Sequence, residues 1–244
     1  MFFLFMYMMK CNAILFYAFI GAISSVWAAS ALVTASATSS EMRDSRDGKI
    51  YRTVFINGKT WMAENLNYKM EKSKCYENKD RNCKNYGRLY SFEAAVKACP
   101  AGWHLPNNAE FDELVHFVEG ENDGIPEMAG YFLKTRYGWD GPCEAGDCDS
   151  ELKNGVDSFG FSLKPNGRGN ADGSFESQGM YGFLWSGTKG EYPWYFAAGY
   201  SYDYAGTLYS GDYVSESVHE NYHGVRCIKG EEPPATAPVL RMNF

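Results

Sequence analysis

The run Ser91-Phe-Glu-Ala-Ala-Val-Lys-Ala-Cys99-Pro100-Ala-Gly-Trp-His-Leu-Pro106-Asn107-Asn-Ala-Glu110-Phe-Asp-Glu-Leu-Val-His-Phe-Val-Glu-Gly120 decides how the chain folds. Ser91 has the chemistry of an N-cap. Phe92, Ala95, Val96 and Cys99 follow at helical spacing, and Pro100 ends the helix. The stripe predicts that Cys99 points into a core, where a distant strand could meet it. A second helix starts at Asn107, with Glu110 three residues on in a capping-box arrangement. Phe111, Leu114, Val115 and Val118 give it one apolar face, and Gly120 closes it.

Outward from this pair, the chain turns to strands. Tyr51–Ile56 and Lys59–Ala63 flank Asn57-Gly58, a strong hairpin signal. From residue 129 to 230 short aromatic runs alternate with Gly and Asp turns: 159–163, 181–186, 194–198 and 225–228. Strands at both ends with helices between them predict an α+β fold with the terminal strands in one sheet.

The ends have a different composition. Residues 1–28 read as a secretory signal peptide, with an apolar run over 13–23 and Val26-Trp27-Ala28 as a cleavage site. Cleavage would leave no stable membrane anchor. The alternative is an uncleaved anchor, since the apolar run approaches a span in length. Residues 29–48 read as a low-complexity linker. Residues 231–244 open on Glu-Glu-Pro-Pro-Ala-Thr-Ala-Pro and read as a Pro-rich tail. The folded unit is expected over 49–230.

Seven cysteines less Cys11 leave six, an even number in an exported chain. That count predicts a disulfide framework. Cys75 and Cys83 bracket a polar loop. Cys143 and Cys148 bracket Glu-Ala-Gly-Asp, which is turn chemistry. Cys99 and Cys227 remain as the third pair. The spacings do not suit a zinc module.

The chain has 244 residues and a net charge of −7, which argues against a nucleic-acid partner. Catalytic signatures are weak. Gly167–Gly173 lacks the Lys-Ser/Thr of a phosphate loop and reads as a turn. His219 and His223 are four apart but abut a strand, and read as exposed loop histidines. Asp140, Glu144, Asp147, Asp149 and Glu151 crowd one loop, and Asn166, Asn170 and Asp172 another. Such oxygen-rich loops can ligate Ca²⁺; a solvated acidic face is the favoured reading, and no cofactor is expected.

Residues 192–213 are dense in aromatics. Tyr200, Tyr202 and Tyr204 alternate and would share one face of a strand. An exposed row of rings suits sugar faces or protein interfaces; packing of the small sheet is the plain alternative. The candidate ligand-binding residues are Trp194, Tyr200, Tyr202, Asp203, Tyr204, Tyr209 and Asp212.

Six ordered segments carry a family resemblance: Trp-Met-Ala-Glu-Asn-Leu-Asn (61–67), Tyr-Gly-Arg-Leu-Tyr (86–90), Cys-Pro-Ala-Gly-Trp-His-Leu-Pro (99–106), Gly-Phe-Ser-Leu-Lys-Pro (160–165), Leu-Trp-Ser-Gly-Thr (184–188) and Gly-Val-Arg-Cys-Ile-Lys (224–229). Together they resemble the Fibrobacter succinogenes major paralogous domain, over 49–230. That family is similar to the C-type-lectin-like and formylglycine-generating-enzyme-like superfamily. The resemblance implies two helices, small antiparallel sheets and long irregular loops. It also implies a secreted protein, often a binding or adhesive accessory in plant-wall-degrading bacteria. An oxidase of the formylglycine-generating type would need a cysteine pair shortly before Arg226-Cys227, and 190–223 contains no Cys. The expectation is therefore a non-catalytic module in the secreted or cell-envelope space. It would recognise a polysaccharide or a cell-surface partner, a structural or adhesive protein being the alternative.

Overall fold

Asn57 and Gly58 reverse the chain with φ of 47° and 73° in a computed structural model of the protein. Both values are left-handed, as the two central residues of a tight hairpin turn require. The turn joins β2 (Ile50–Ile56) to β3 (Lys59–Met62). The structure describes residues 40–122, 128–140, 154–188, 190, 192–200, 205–209 and 220–231. Over these the fold is α+β, with mostly antiparallel sheets, few helices and two disulfides.

In the first sheet β1 (Ser40–Arg43) edges β2, and β3 is followed by β13 (Ile228–Lys229) and β6 (Trp103–His104). Ile228 pairs with Trp61, so the late strand does join the opening hairpin. Val225 and Cys227 precede β13 but still bond to the end of β3 and the chain just after it. Leu66 N donates to Val225 O at 2.8 Å and Met62 N to Cys227 O at 3.0 Å. The second sheet orders β11 (Ala205–Tyr209), β10 (Trp194–Gly199), β9 (Tyr181–Trp185), β12 (Tyr222–Gly224), β5 (Leu89–Ser91) and β4 (Ser73–Lys74). β7 (Asn166–Gly169) pairs with β12 and with β8 (Phe175–Gln178).

Successive strand residues face opposite ways, and Trp61 and Met62 accordingly enter two different cores. Trp61 joins Val54, Ile56, Phe161 and Phe196, packed on α3 (Asn108–Gly120) through Phe111, Leu114, Val115 and Val118. Phe111 stacks on Phe196 at 4.6 Å between ring centres. Met62 joins Tyr51, Leu66, Tyr90, Trp185, Tyr195 and Val225. α3 begins as expected: Asn107 Oδ1 accepts from Glu110 N, and Glu110 reaches back to Asn107 N. That reciprocal pair satisfies two donors at the helix start.

Several expectations are corrected. Residues 40–43, read as linker, form β1, in register with Ile50–Thr53. Asp44 is fully buried and bonds Arg46 at 2.7 Å, so the folded unit begins before residue 49. The helix after Ser91 is only α2 (Phe92–Ala95). Val96 is 45% exposed, and Ala94, Ala95 and Ala98 supply the buried face instead. The polar loop between Cys75 and Cys83 contains the start of α1 (Asp80–Tyr86). Residues 129–133 form α4 (Ala129–Leu133), a single buried turn too short for a periodic signal.

Cys75–Cys83 and Cys99–Cys227 are bonded, as expected. Cys143 and Cys148 lie outside the described residues. Disulfides persist in oxidising compartments, and these two point to an extracytoplasmic protein. No described helix is long and apolar enough to cross a membrane; residues 1–39, with the signal-like segment, lie outside the description.

Candidate functional site

Arg226 organises the middle of the molecule. Its side chain is 1% exposed, and no carboxylate contacts it among the described residues. Its Nε and Nη2 donate to Asn65 Oδ1 at 3.2 and 2.8 Å, Nη2 to Ser162 O at 3.2 Å, and Nη1 to Phe161 O. The guanidinium also lies 4.4 Å over the Phe161 ring. Burial pushes it down to about 9, with Asp157 and Glu64 opposing, so it stays charged at neutral pH. The loop that feeds it is tied by Asp157, which accepts from Ser162 N at 2.7 Å and Ser162 Oγ at 2.6 Å. Both residues have positive φ, 46° and 54°, a conformation held by those bonds.

Asn65 passes this order to the surface. Its Nδ2 donates to Tyr86 O at 3.0 Å. Gly87 lies against it, and a Cβ there would stand 2.6 Å from Asn65 Cβ. Only glycine allows that approach, and its φ of 79° favours glycine as well.

Beside this junction lies an open cleft of about 210 Å³, lined by Lys49, Ile50, Tyr51, Glu64, Asn65, Asn67, Cys83, Lys84, Asn85, Tyr86, Gly87 and Lys164. Tyr51 OH accepts from Asn67 N at 3.0 Å, and burial pushes the phenol up to about 12. It is therefore neutral, with a proton to donate. Lys164 Nζ donates to Asn85 O at 2.7 Å, and Lys49 Nζ to Asn67 O at 2.6 Å and Asp47 at 2.8 Å. Glu64 is turned to Arg52, accepting from its N at 3.0 Å and Nε at 3.3 Å. The side-chain amides of Asn67 and Asn85 make no hydrogen bond among the described residues, so a ligand could use them.

The aromatic surface expected over 192–213 is described only in part. Trp194 is half-buried at the start of β10. Tyr200 leaves β10 in a turn, partly buried against the first core and edge-on to Tyr181 at 6.1 Å. It lies in a turn just past the strand. Tyr195 is 3% exposed. Tyr209 ends β11, where only the backbone is described; Tyr202, Asp203, Tyr204 and Asp212 lie outside the described residues.

His223 is buried, not exposed. It stacks on Tyr195 at 5.0 Å and meets Trp185 edge-on at 4.2 Å. Neither ring nitrogen has a hydrogen-bond partner among the described residues. Burial first, and the Arg168 charge second, hold it well below its usual value. The unfolded chain therefore binds a proton that the folded chain refuses. Stability from this site is intact above about pH 6.5 and falls by up to about 1.4 kcal/mol per unit below it. Melting temperatures from pH 7.5 to 5 should drop more steeply for the native chain than for His223→Leu. Equal slopes would show that the ring is not buried neutral. His219 lies outside the described residues.

His104 sits in opposite surroundings. Nε2 is 3.0 Å from both Glu110 oxygens and Nδ1 is 3.0 Å from Gly230 O. The ring thus bridges a carboxylate and a backbone carbonyl. Burial pushes the Glu110 carboxyl up, but the His104 and Asn107 hydrogen bonds and the Lys59 charge outweigh it and hold it low. The pair fastens β6 to the start of α3.

No described trio of His, Cys, Asp or Glu converges to hold a metal. Asn166, a candidate Ca²⁺ ligand, spends its amide on Phe183, at 3.0 Å from both N and O. Asp172 accepts from Ser174 N and Oγ at 2.9 and 2.6 Å. Asp140 is described; Glu144, Asp147, Asp149 and Glu151 are not.

Sequence reasoning passed over the cleft, although three of the quoted motif segments (61–67, 86–90 and 160–165) meet at its wall. Only the fold brings these segments together, so no local pattern announced the cleft. The fold and this polar junction define a disulfide-stapled α+β domain built around one buried arginine. The chain belongs to the Fibrobacter succinogenes major domain family, whose pattern matches residues 54–229. No curated protein and no solved structure matches it.

Proposed function

We propose that the chain is a secreted, non-catalytic binding module of C-type-lectin-like fold, and that it recognises a glycan in the cleft beside Asn65. Paired terminal strands, helices α2 and α3 between them and the Cys99–Cys227 tether support the fold. The signal-like segment 1–28 and the disulfides support export.

One observation carries the function: uncommitted amides of Asn67 and Asn85 beside the neutral Tyr51 phenol and the Tyr86 ring, in an open cleft. Amides and a phenol match sugar hydroxyls, which both donate and accept. An aromatic ring matches the apolar C–H face of a pyranose. Openness suits a chain polymer better than a small metabolite, which is normally enclosed. A surface protein partner bound at the same place is the rival.

A glycan array probed with the disulfide-intact protein tests this. Retention on a glycan is expected. Tyr86→Ala should weaken it roughly tenfold, about 1.4 kcal/mol. Tyr137→Ala, 73% exposed and outside the cleft, should leave it unchanged. No retention on any glycan removes the reading.

A further inference from the structure

The cleft carries a charge that its surroundings do not neutralise. Its charged lining is Lys49, Lys84, Lys164 and Glu64, which sums to 3 − 1 = +2 on a chain whose total is −7. The one carboxylate among them is engaged by Arg52. Lys49 has Asp47 at 2.8 Å. Lys84 and Lys164 have no carboxylate partner among the described residues. Arg226 stands behind the wall, bonded to Asn65. An acidic molecule thus presents a local cationic recess, and a recess with low-dielectric walls concentrates its field outward.

The neighbours of Lys164 bear this out independently. Burial pushes its ammonium down, and Arg226 and Arg52 add to that, with Glu64 opposing. Its hydrogen bond goes to a neutral carbonyl, Asn85 O at 2.7 Å. An ammonium has three donors, so Lys164 keeps capacity for an anion that would also relieve its depressed basicity. Lys84, the residue before Asn85, is exposed and lines the same cleft.

We infer that the cleft selects acidic sugars: a uronic acid residue, its carboxylate between Lys84 and Lys164, its hydroxyls on Asn67 and Asn85, its ring on Tyr86. This rests on the glycan reading above and names the ligand class within it. Lysine suits the task, because it meets a carboxylate as a compact point charge and needs no bidentate geometry.

Calorimetry with the full, disulfide-intact protein tests the inference with three probes. These are polygalacturonate, the same polymer with its carboxyls methyl-esterified, and dextran sulfate. Polygalacturonate should bind at least tenfold tighter than the ester, and the gap should shrink at high salt. Lys84→Met and Lys164→Met should each weaken polygalacturonate several-fold and leave binding of the ester nearly unchanged. Lys84 is exposed, so its variant keeps the test valid even if the half-buried Lys164 variant folds poorly. Equal binding of acid and ester overturns the acidic selection while leaving glycan recognition standing. Preference for dextran sulfate overturns the carboxylate. Binding of polygalacturonate untouched by Lys84→Met and Lys164→Met overturns the cleft as its site. No binding of any of the three, with an unresponsive glycan array, ends both readings.

Discussion

A Cys99→Ala, Cys227→Ala double variant is expected to lose about 5 kcal/mol of stability. The tether closes 128 residues, and loop-closure entropy released in the unfolded chain grows with the logarithm of that length. The equivalent Cys75→Ala, Cys83→Ala variant opens a separation of only 8, which corresponds to about 2.5 kcal/mol. Urea denaturation of both variants measures the difference. The long tether should cost roughly twice as much, with a clear drop in midpoint. Equal losses, or a larger loss from the short loop, would mean that the tether does not restrain the chain ends. Position strengthens the expectation: Cys227 is fully buried and its carbonyl holds Met62 N at 3.0 Å. Freeing it loosens the seam where the last strand meets the hairpin.

Arg226→Met is the second large effect, about 3–5 kcal/mol. Methionine matches much of the length and supplies no donor. Asn65 Oδ1, Phe161 O and Ser162 O would lose their donor in the interior, and an unsatisfied buried acceptor costs about 1–3 kcal/mol. Arg226→Lys should fall between, because it keeps the charge and loses the fork that spans two loops. A loss under about 1 kcal/mol for Arg226→Met would contradict the hub. Cleft function should fall with stability here, since Asn65 links Arg226 to the Tyr86 backbone.

Local chemistry was the legible part of this fold. Asn57-Gly58 announces its hairpin because two left-handed residues fit little else. Asn107 and Glu110 announce α3 because a capping box is a short-range device. The two described disulfides followed from spacing and elimination. β1 was hidden because Ser40–Arg43 offers only Met42 to the core, and a mostly polar edge strand resembles a linker. Val96 faces solvent because the helix ends one turn early, and past Ala95 the chain buries Ala98 and part of Cys99 outside helical periodicity. His223 looked exposed among polar neighbours, yet its strand inserts between two others, which no periodicity encodes.

The cleft was illegible for another reason. Its residues come from 49–51, 64–67, 83–87 and 164, four stretches joined only by tertiary bonds. Polar residues carry no burial pattern, so only the fold brings them together. The tyrosine-rich segment drew attention instead because aromatics are conspicuous. Of its described rings, Tyr195, Phe196 and Tyr200 serve the cores, and Tyr192 and Trp194 are half-buried.

Side-chain amide chemical shifts during a titration with a short galacturonate oligomer test the central claim most directly. The account predicts the largest, saturable shifts at Asn67 and Asn85, smaller ones at Asn65, and none at Asn122, which caps the far end of α3 through Val118 O. Shifts centred on the indole of Trp194, with Asn67 and Asn85 still, would place recognition on the aromatic strands and contradict it.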